Sequence, residues 1–465
     1  MLARLSAWFI VPAVLAATIA LVGLGKDTYL MGDFRAFYCA GSAIAQHANP
    51  YLEEPLHGCE RAAGPPAEPS FMRGVVLPAP LPPFALALFV PFSRFPFGIA
   101  AVLYGALLVA AMALAVGLYA RVTGASSVLL NLAFAAITAT VTLYVGQPVP
   151  LVMLALAGAA LLVRRERWWA ASLCVAAACI EPHVAAAAIV ALLVALPRTR
   201  IPLAVCGLGL CAASVALVGL PVTLAYVRDV IPAHALANAY EWQFSLTSIL
   251  TSAGVAAPLA IRSGELMFAG MVTLGVAVAY RLWRASGDPA VLVFVPPAFA
   301  VFGGVHVHFQ QLAIAFPAFL YVCARHPQVR VLAATGLALA MIPWNVMSSS
   351  VLAGVSPLLV GAFSGITLGR RRGLLLAGVA AGLGLSLLVL ASVGLGPPLV
   401  HFVAHPYPPD ALAEAGWGDF SRATMMRPSF LMQWLRMPTL IGLGCGLWAL
   451  VRVAYPPRAG AGVAA

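Results

Sequence analysis

Residues 32–51, GDFRAFYCAGSAIAQHANPY, hold an aspartate among aromatic side chains directly after an apolar run over residues 5–25. Asp33 is therefore expected just beyond a membrane-spanning helix, in a chain with few charges. A structural role is the alternative, because aspartate is favoured as the N-cap of a following helix. A carboxylate at this interface is suited to act as a general base on a substrate that the membrane delivers.

Further polar side chains interrupt apolar stretches later in the chain. Glu181 and His183 follow the run LCVAAACI, and ionisable residues in such stretches are usually functional or paired because they are costly. Histidine suits phosphate binding because it donates hydrogen bonds and carries charge near neutral pH. The candidate substrate-binding residues are Arg35, Tyr38, Gln147, Glu181, His183, Gln243, His306 and His308.

Structural alternatives exist for several of these residues. Arg35 has acidic neighbours in the same loop with which it could pair instead of binding an anion. Glu181, His183 and Gln147 could be polar residues of hairpin turns that reach the interface. His306 and His308 are two positions apart and do not share a helix face, so a paired metal site in regular helix is not expected. An irregular turn after Gly304 would still bring one of them into a cavity.

The composition indicates the class of protein that must position these groups. Of the 465 residues, 62% are hydrophobic and 9% are charged, which excludes a water-soluble protein. Backbone groups in lipid must be satisfied internally, so the apolar segments are predicted to be helices. We predict an all-α polytopic membrane protein, one membrane domain over 1–465, with about 12–14 transmembrane helices. The predicted spans are 5–25, 97–120, 126–145, 149–163, 168–182, 184–197, 201–220, 264–280, 290–304, 309–324, 330–345, 350–368, 373–395 and 433–452.

The arginines predict the orientation of these spans. One side of the predicted topology carries 16 basic residues and two acids, Glu166 and Asp288, and the other carries 10 basic residues and 13 acids. The positive-inside rule makes the first side cytoplasmic and places both termini there. The net charge of +11 thus reflects topology and does not indicate a nucleic-acid partner. One lysine against 25 arginines suggests a GC-rich bacterial genome, and hence a bacterial plasma membrane.

Three predicted outer segments, 26–96, 221–263 and 396–432, are long enough to form a site. In the first, the run FALALFV lies between Pro83 and Pro91 and is too short to span, so it predicts a re-entrant or interfacial helix. Cys39 and Cys59 share this segment, and whether they form a disulfide is left open by the sequence. No internal repeat of the kind found in many transporters is present.

Several motifs, taken in order, resemble family 87 of the GT-C glycosyltransferases. Each motif alone is weak, but the ordered set extends over roughly residues 1–330. Three departures affect the donor site: Glu181 stands where the family has a lysine, a proline follows Gln147, and Trp242-Gln243 replaces an Asn-Gln pair. The matching motifs are Asp33-Phe34-x-x-Phe37-Tyr38, Ala40-Gly41, Asn49-Pro50-Tyr51, LPPFALALFVPFSRFPF, the Gly-Gln turn at Gln147, the hairpin at Glu181-Pro182-His183, WQFSL and VHVHFQQL.

The resemblance implies a GT-C-like bundle that transfers a sugar from a polyprenyl-phosphate donor to a glycolipid or glycan hydroxyl on the extracytoplasmic face. Asp33 would be the catalytic base of an inverting transfer, and His306, His308 and Arg35 would meet the charge of the departing phosphate. We expect no cofactor and no metal. Mannose and arabinose are the first sugars to consider, while acceptor, carrier length and oligomeric state are left open.

Two other functions fit part of the same sequence. A transporter or flippase of a lipid-linked glycan or small solute accounts for the many helices, but predicts charges at mid-membrane rather than at the outer ends. A non-catalytic assembly subunit predicts that replacing Asp33 has no effect. The long aromatic and proline-rich segment after the first helix favours the glycosyltransferase.

Overall fold

The structure is a computed structural model that describes residues 31–63, 74–135, 145–241, 243–342, 350–392, 402, 406–424 and 436–456. These residues form helices and, apart from a single bridge between Leu52 and Leu412, contain no β-pairing. The first half of the chain contains α1 (Gly32–Ala45), α2 (Glu53–Ala62), α3 (Pro83–Leu86), α4 (Phe97–Thr123), α5 (Ser127–Phe134), α6 (Val149–Arg164), α7 (Trp168–Ala177), α8 (Pro182–Ala195) and α9 (Arg200–Ala225). The second half contains α10 (Ile231–Asn238), α11 (Leu246–Ser252), α12 (Ala257–Ser286), α13 (Val291–Gly303), α14 (Phe316–Arg325), α15 (Arg330–Ala340), α16 (Ser350–Leu368), α17 (Arg370–Ser392), α18 (Ala413–Thr424) and α19 (Met437–Ala454).

The helical membrane class predicted from composition is confirmed. Within the described residues, four helical stretches are long and apolar enough to cross a bilayer: α4, α12, α19 and the continuous stretch Pro197–Asn238. Shorter apolar helices, among them α6, α8 and α13, pack between them and are largely buried. The predicted first span over 5–25 and residues 136–144 of the span over 126–145 lie outside the described residues, so the total number of spans stays a prediction.

Four of the predicted basic loops meet at one end of the bundle. The guanidinium of Arg164 donates to the Arg121 carbonyl at 3.0 Å and to Oδ1 of Asp288 at 3.0 Å. Arg325 approaches the same place, with its Nε 3.5 Å from the Thr123 carbonyl. We call this the arginine end. Its assembly agrees with the prediction that these loops share one side of the membrane.

The polar turns singled out in the sequence lie at the opposite end of the same helices. Helix α6 begins just after Gln147 and ends at Arg164, and its 16 residues rise about 24 Å. Helix α13 likewise runs from the arginine end to the loop that holds His306 and His308. We call this opposite end the carboxylate end, because Asp33, Glu181 and Glu241 lie there.

The predicted span over 201–220 does not end the helix. Gly219 has a non-helical backbone, with φ of 81°, and a second helical stretch continues from it through a π-helical turn to Asn238. Pro221 does not stop this continuation because it falls in the first turn after the break. A residue in the first turn makes no hydrogen bond within the helix through its N–H, so the lack of an N–H in proline is tolerated there. Much of the predicted second outer segment is therefore helix, and α12 begins at Ala257 rather than 264.

The short run between Pro83 and Pro91 folds as a broken helix and packs on α1. Its pieces are α3 and the 3₁₀ turn Ala87–Phe89. A Cβ on Gly41 would lie 2.7 Å from the Phe89 carbonyl carbon, so only glycine permits this contact between the two backbones. The Ala40-Gly41 motif is thus explained by packing.

The third outer segment docks on the first. The Tyr51 carbonyl accepts a hydrogen bond from the Ala413 N–H at 3.0 Å, and the Glu53 N–H donates to the Ala411 carbonyl at 2.8 Å. Tyr51 is itself fixed, because its hydroxyl donates to the Leu81 carbonyl at 2.8 Å. These bonds hold α18 over the carboxylate end.

Cys39 and Cys59 form a disulfide, which settles the question that the sequence left open. The bond joins α1 to α2, closing a loop with a sequence separation of 20 residues. It therefore limits the conformations open to the segment that carries Asp33.

Replacing both cysteines, Cys39→Ser with Cys59→Ser, is expected to destabilise the protein by about 3 kcal/mol, the cost of freeing a loop of this size. The measurement is thermal unfolding in detergent, with and without reductant. The wild type should lose stability on reduction while the double variant should not respond. Equal melting of both proteins under oxidising conditions would contradict the prediction.

Candidate functional site

Asp33 lies in the first turn of α1 and does not cap it. The N-cap is Met31, whose φ of 57° is left-handed, and no side chain caps the helix. The N-cap interpretation of Asp33 is therefore wrong by two positions. A carboxylate in the first turn is still favoured by the helix dipole. The side chain is partly exposed, so it can meet a substrate.

Gln147 holds the Asp33 carboxylate. Its Nε2 donates to Oδ2 of Asp33 at 2.6 Å, which joins α1 to the turn before α6. Gly146 makes this approach possible: its φ is 82°, and a Cβ there would lie 2.6 Å from Cβ of Phe34. The Gly-Gln turn recognised in the sequence is thus the element that orients the candidate base.

An aromatic cluster fixes α1 behind Asp33. The Phe34 ring is fully buried and stacks on Tyr104 of α4, with ring centroids 4.4 Å apart. It also contacts Phe92 edge-on at 5.9 Å. Such pairs add to the stability that burial alone provides. Phe34 therefore helps to position Asp33.

His308 and Glu241 form the second polar centre of the carboxylate end. Nε2 of His308 lies 2.9 Å from Oε2 of Glu241. Burial disfavours the charged imidazole, but the hydrogen bond and charge of Glu241, together with the charges of Asp33 and Glu181, outweigh it, so the pKa of His308 is raised. Burial also acts to raise the pKa of Glu241, yet His308 and Trp417 lower it on balance. The pair therefore favours imidazolium beside carboxylate.

Glu241 was not recognised in the sequence, although it is an acid beside the apolar segment WQFSL. Gln243, recognised as substrate-binding, is instead fully buried and donates to Glu241 at 3.3 Å. Its Oε1 accepts from the Val307 N–H at 3.0 Å, which ties this segment to the histidine loop. Its neighbour Trp242 lies outside the described residues.

A hydrogen-bond chain connects His308 to the hairpin between α7 and α8. The His308 N–H donates to Oε1 of Gln311 at 2.9 Å, and Nε2 of Gln311 donates to Oε2 of Glu181 at 3.0 Å. His183 lies 3.7 Å from the same carboxylate. Burial raises the pKa of Glu181 to about 7, against the opposing effects of Gln311 and His308. Glu181 is thus held by an amide rather than by a cation.

His306 has no hydrogen-bond partner for either ring nitrogen among the residues that the structure describes. Its ring lies edge-on to that of His234, with centroids 6.2 Å apart. Burial lowers the pKa of His306 well below its ordinary value, so the ring is neutral at pH 7. Of the two predicted histidines, the structure therefore favours His308 as the cation.

Arg35 and Tyr38 are not brought to this group. Arg35 is buried, with its Nη2 3.9 Å from Oε2 of Glu60. The Tyr38 hydroxyl donates to the Phe95 carbonyl at 2.9 Å, and its ring lines a cavity of about 700 Å³ beside the disulfide. That cavity is on the face of α1 away from Asp33. The pairing interpretation of Arg35 agrees with the structure.

The arrangement offers a carboxylate, Asp33, and a cation, His308, at the same end of the bundle. The charge of Asp33 is close enough to act on His308. Within the described ranges no group of three His, Cys, Asp or Glu side chains is arranged to hold a metal ion. A carboxylate and a fixed cation suit a transfer in which a proton leaves one group while negative charge develops on another.

Residues 81–295 match the family model of glycosyltransferase family 87. The match supports the family resemblance of the sequence motifs and indicates a membrane glycosyltransferase. It contains Gln147, Glu181, His183 and Gln243, whereas Asp33 and His308 fall on either side of it. Comparison with curated proteins and with solved structures gave no match.

The Gly146→Ala substitution tests whether the Gly-Gln turn is sterically fixed. It should lower stability by about 2–5 kcal/mol, because the left-handed backbone costs about 1–2 and the overlap with Phe34 the rest. Gly254→Ala is the matched control, since Gly254 has φ of 88° but open space around its Cβ position. Thermal unfolding in detergent measures both, and equal losses would contradict the packing account.

Proposed function

We propose that this glycosyltransferase moves a sugar from a polyprenyl-phosphate carrier to a glycolipid or glycan hydroxyl at the extracytoplasmic face. The observation that carries the proposal is the pairing of two held groups at the carboxylate end: Asp33 on Gln147, and His308 on Glu241. They lie at the opposite end of α6 and α13 from the arginines, which the positive-inside rule assigns to the cytoplasm.

Asp33 is the general base of the proposed reaction. The acceptor hydroxyl gives its proton to Asp33 as its oxygen attacks the anomeric carbon. The hydrogen bond from Gln147 fixes one oxygen of the Asp33 carboxylate, and a carboxylate oxygen accepts the proton. Such positioning lowers the barrier because the base and the hydroxyl meet in the required orientation. Attack opposite the leaving group inverts the anomeric configuration.

His308 stabilises the leaving group, which is the phosphate of the carrier. As the new bond forms, the bond between the anomeric carbon and the phosphate oxygen breaks, and its electron pair stays on the phosphate. The departing monophosphate gains one negative charge, which a fixed cation stabilises. Glu181 occupies the place where the family carries a lysine, and it is held by Gln311. His308 is therefore the cation best placed for this role in the described part of the chain.

The lipid carrier explains why such a site sits at the end of apolar helices. The isoprenoid tail lies in the bilayer, while the sugar phosphate lies at the interface beside the carboxylate end. Mannose and arabinose are the first donors to test. Because Arg35 and Tyr38 are engaged elsewhere, they are omitted from the donor site.

The Asp33→Asn substitution should lower sugar transfer by about 10²–10⁴-fold, the usual contribution of a general base. The assay follows transfer of labelled sugar from polyprenyl-phosphate mannose, then arabinose, to glycolipid acceptors in membranes. Donor binding and protein level should persist, since asparagine keeps the size of the side chain and can still accept from Gln147.

Asp229→Asn is the control, because Asp229 is a partly exposed acid that forms a local ion pair with its neighbour Arg228. It should transfer sugar at the wild-type rate. Equal transfer by the Asp33 and Asp229 variants would remove Asp33 from the chemistry. Donor translocation without transfer by the wild type would favour a flippase.

A further inference from the structure

Glu241 is a buried acid whose carboxylate accepts several hydrogen bonds. It is 7% exposed, and its carboxylate accepts from His308 and Gln243. The Trp417 indole N–H, which comes from α18, also donates to it. The Asn238 amide, in the orientation that satisfies both its neighbours, turns its NH₂ to Glu241 and its oxygen to His234.

These donors come from four different places in the fold. Asn238 ends α10, Gln243 precedes α11, His308 follows α13 and Trp417 lies on α18. A buried charge that gathers several donors is rigid, because moving it would leave more than one group unpaired. Glu241 is therefore fixed relative to His308 by contacts that do not involve the histidine.

His308 is the one donor among them that can carry a charge and is also accessible. Its side chain is 32% exposed while that of Glu241 is 8% exposed. Nε2 of His308 faces Glu241, and Nε2 of Gln243 lies 3.3 Å from the same ring nitrogen. The geometry matches a common arrangement in which a carboxylate orients a histidine for work on its other side.

We propose that Glu241 is a positioning residue that orients the His308 imidazole and keeps it cationic for the phosphate of the donor. The inference rests on the proposed function, and deepens it by assigning the source of the cation. Glu241 does not touch the substrate. It acts through His308, and α18 contributes to the same centre through Trp417.

The charge on His308 reflects all the groups that face it. Asp33 of α1 and Glu181 of the α7–α8 turn add to the effect of Glu241. His183, His234 and His306 lie close enough to interact with His308 electrostatically, and would oppose its charge if they were protonated. Since Glu241 makes the direct contact, its removal should lower the pKa of His308 most. The pKa of His308 is raised in the folded protein, so the cation is present at low pH and is lost as pH rises through that pKa.

The test compares the wild type with Glu241→Gln, which keeps the shape of the side chain and removes its charge. Two readouts are followed from pH 5.5 to 8.5 in steps of about half a unit: sugar transfer, and binding of citronellyl phosphate, a short isoprenyl monophosphate, by thermal shift. In the variant, the alkaline limb of both profiles should move to lower pH by about one unit or more. Near pH 5.5 the variant should come within about threefold of the wild type, and near pH 8 it should fall about tenfold or more below it.

Glu53→Gln is the matched control, because Glu53 is a buried acid of α2 that contacts His57 and not the site. Its profiles should coincide with those of the wild type. Glu241→Asp, which retains the charge, should restore the alkaline limb in part. If the substitution by glutamine merely loosened the loop, the shorter aspartate would not restore it.

Profiles of Glu241→Gln that superimpose on a working wild type would overturn the assignment of Glu241 alone. A uniform loss at every pH, with no recovery at pH 5.5 and with unchanged melting, would also overturn it. Failure of the wild type both to transfer sugar and to bind citronellyl phosphate would overturn the proposed function together with this inference.

Discussion

A carboxylate among apolar helices is costly unless a polar partner holds it, and three acids of the carboxylate end are held in this way. Asp33 accepts from Gln147, Glu181 from Gln311, and Glu241 from His308. Each of these three acids takes its donor from another part of the chain, which reduces the cost of placing a carboxylate in such surroundings. The donors draw together α1, the turn before α6, the α7–α8 turn and the histidine loop.

Hydrogen bonds also join the three predicted outer segments to one another. The first supplies Asp33 and is closed by the disulfide and by the backbone bonds to Ala411 and Ala413. The second supplies Glu241 and Gln243. The third supplies Trp417, so that α18 is tied at one side to α2 and at the other to the buried acid. All three segments therefore contribute residues to the carboxylate end.

The sequence predicted the class of the fold, and which loops lie at the same end of the bundle, better than it predicted the partners of individual side chains. Runs of apolar residues and clusters of arginines are local signals, and the arginine end assembles as they indicate. The continuation of α9 beyond Gly219 was not predicted, since the predicted span ended at residue 220. Glu241 was missed because its role is apparent only from its contacts with His308, Asn238 and Trp417. His308 and Trp417 are distant in the chain, and Asn238 lies across a helix end. Conversely, Arg35 was predicted as an anion ligand, but in the structure it lies beside Glu60.

The most direct test of the account is an experimental structure of the Asp33→Asn variant with polyprenyl-phosphate mannose bound. The account predicts the phosphate within hydrogen-bond distance of His308, with the anomeric carbon between it and the side chain at position 33. A sugar phosphate bound instead at the arginine end, near Arg164 and Asp288, would contradict it.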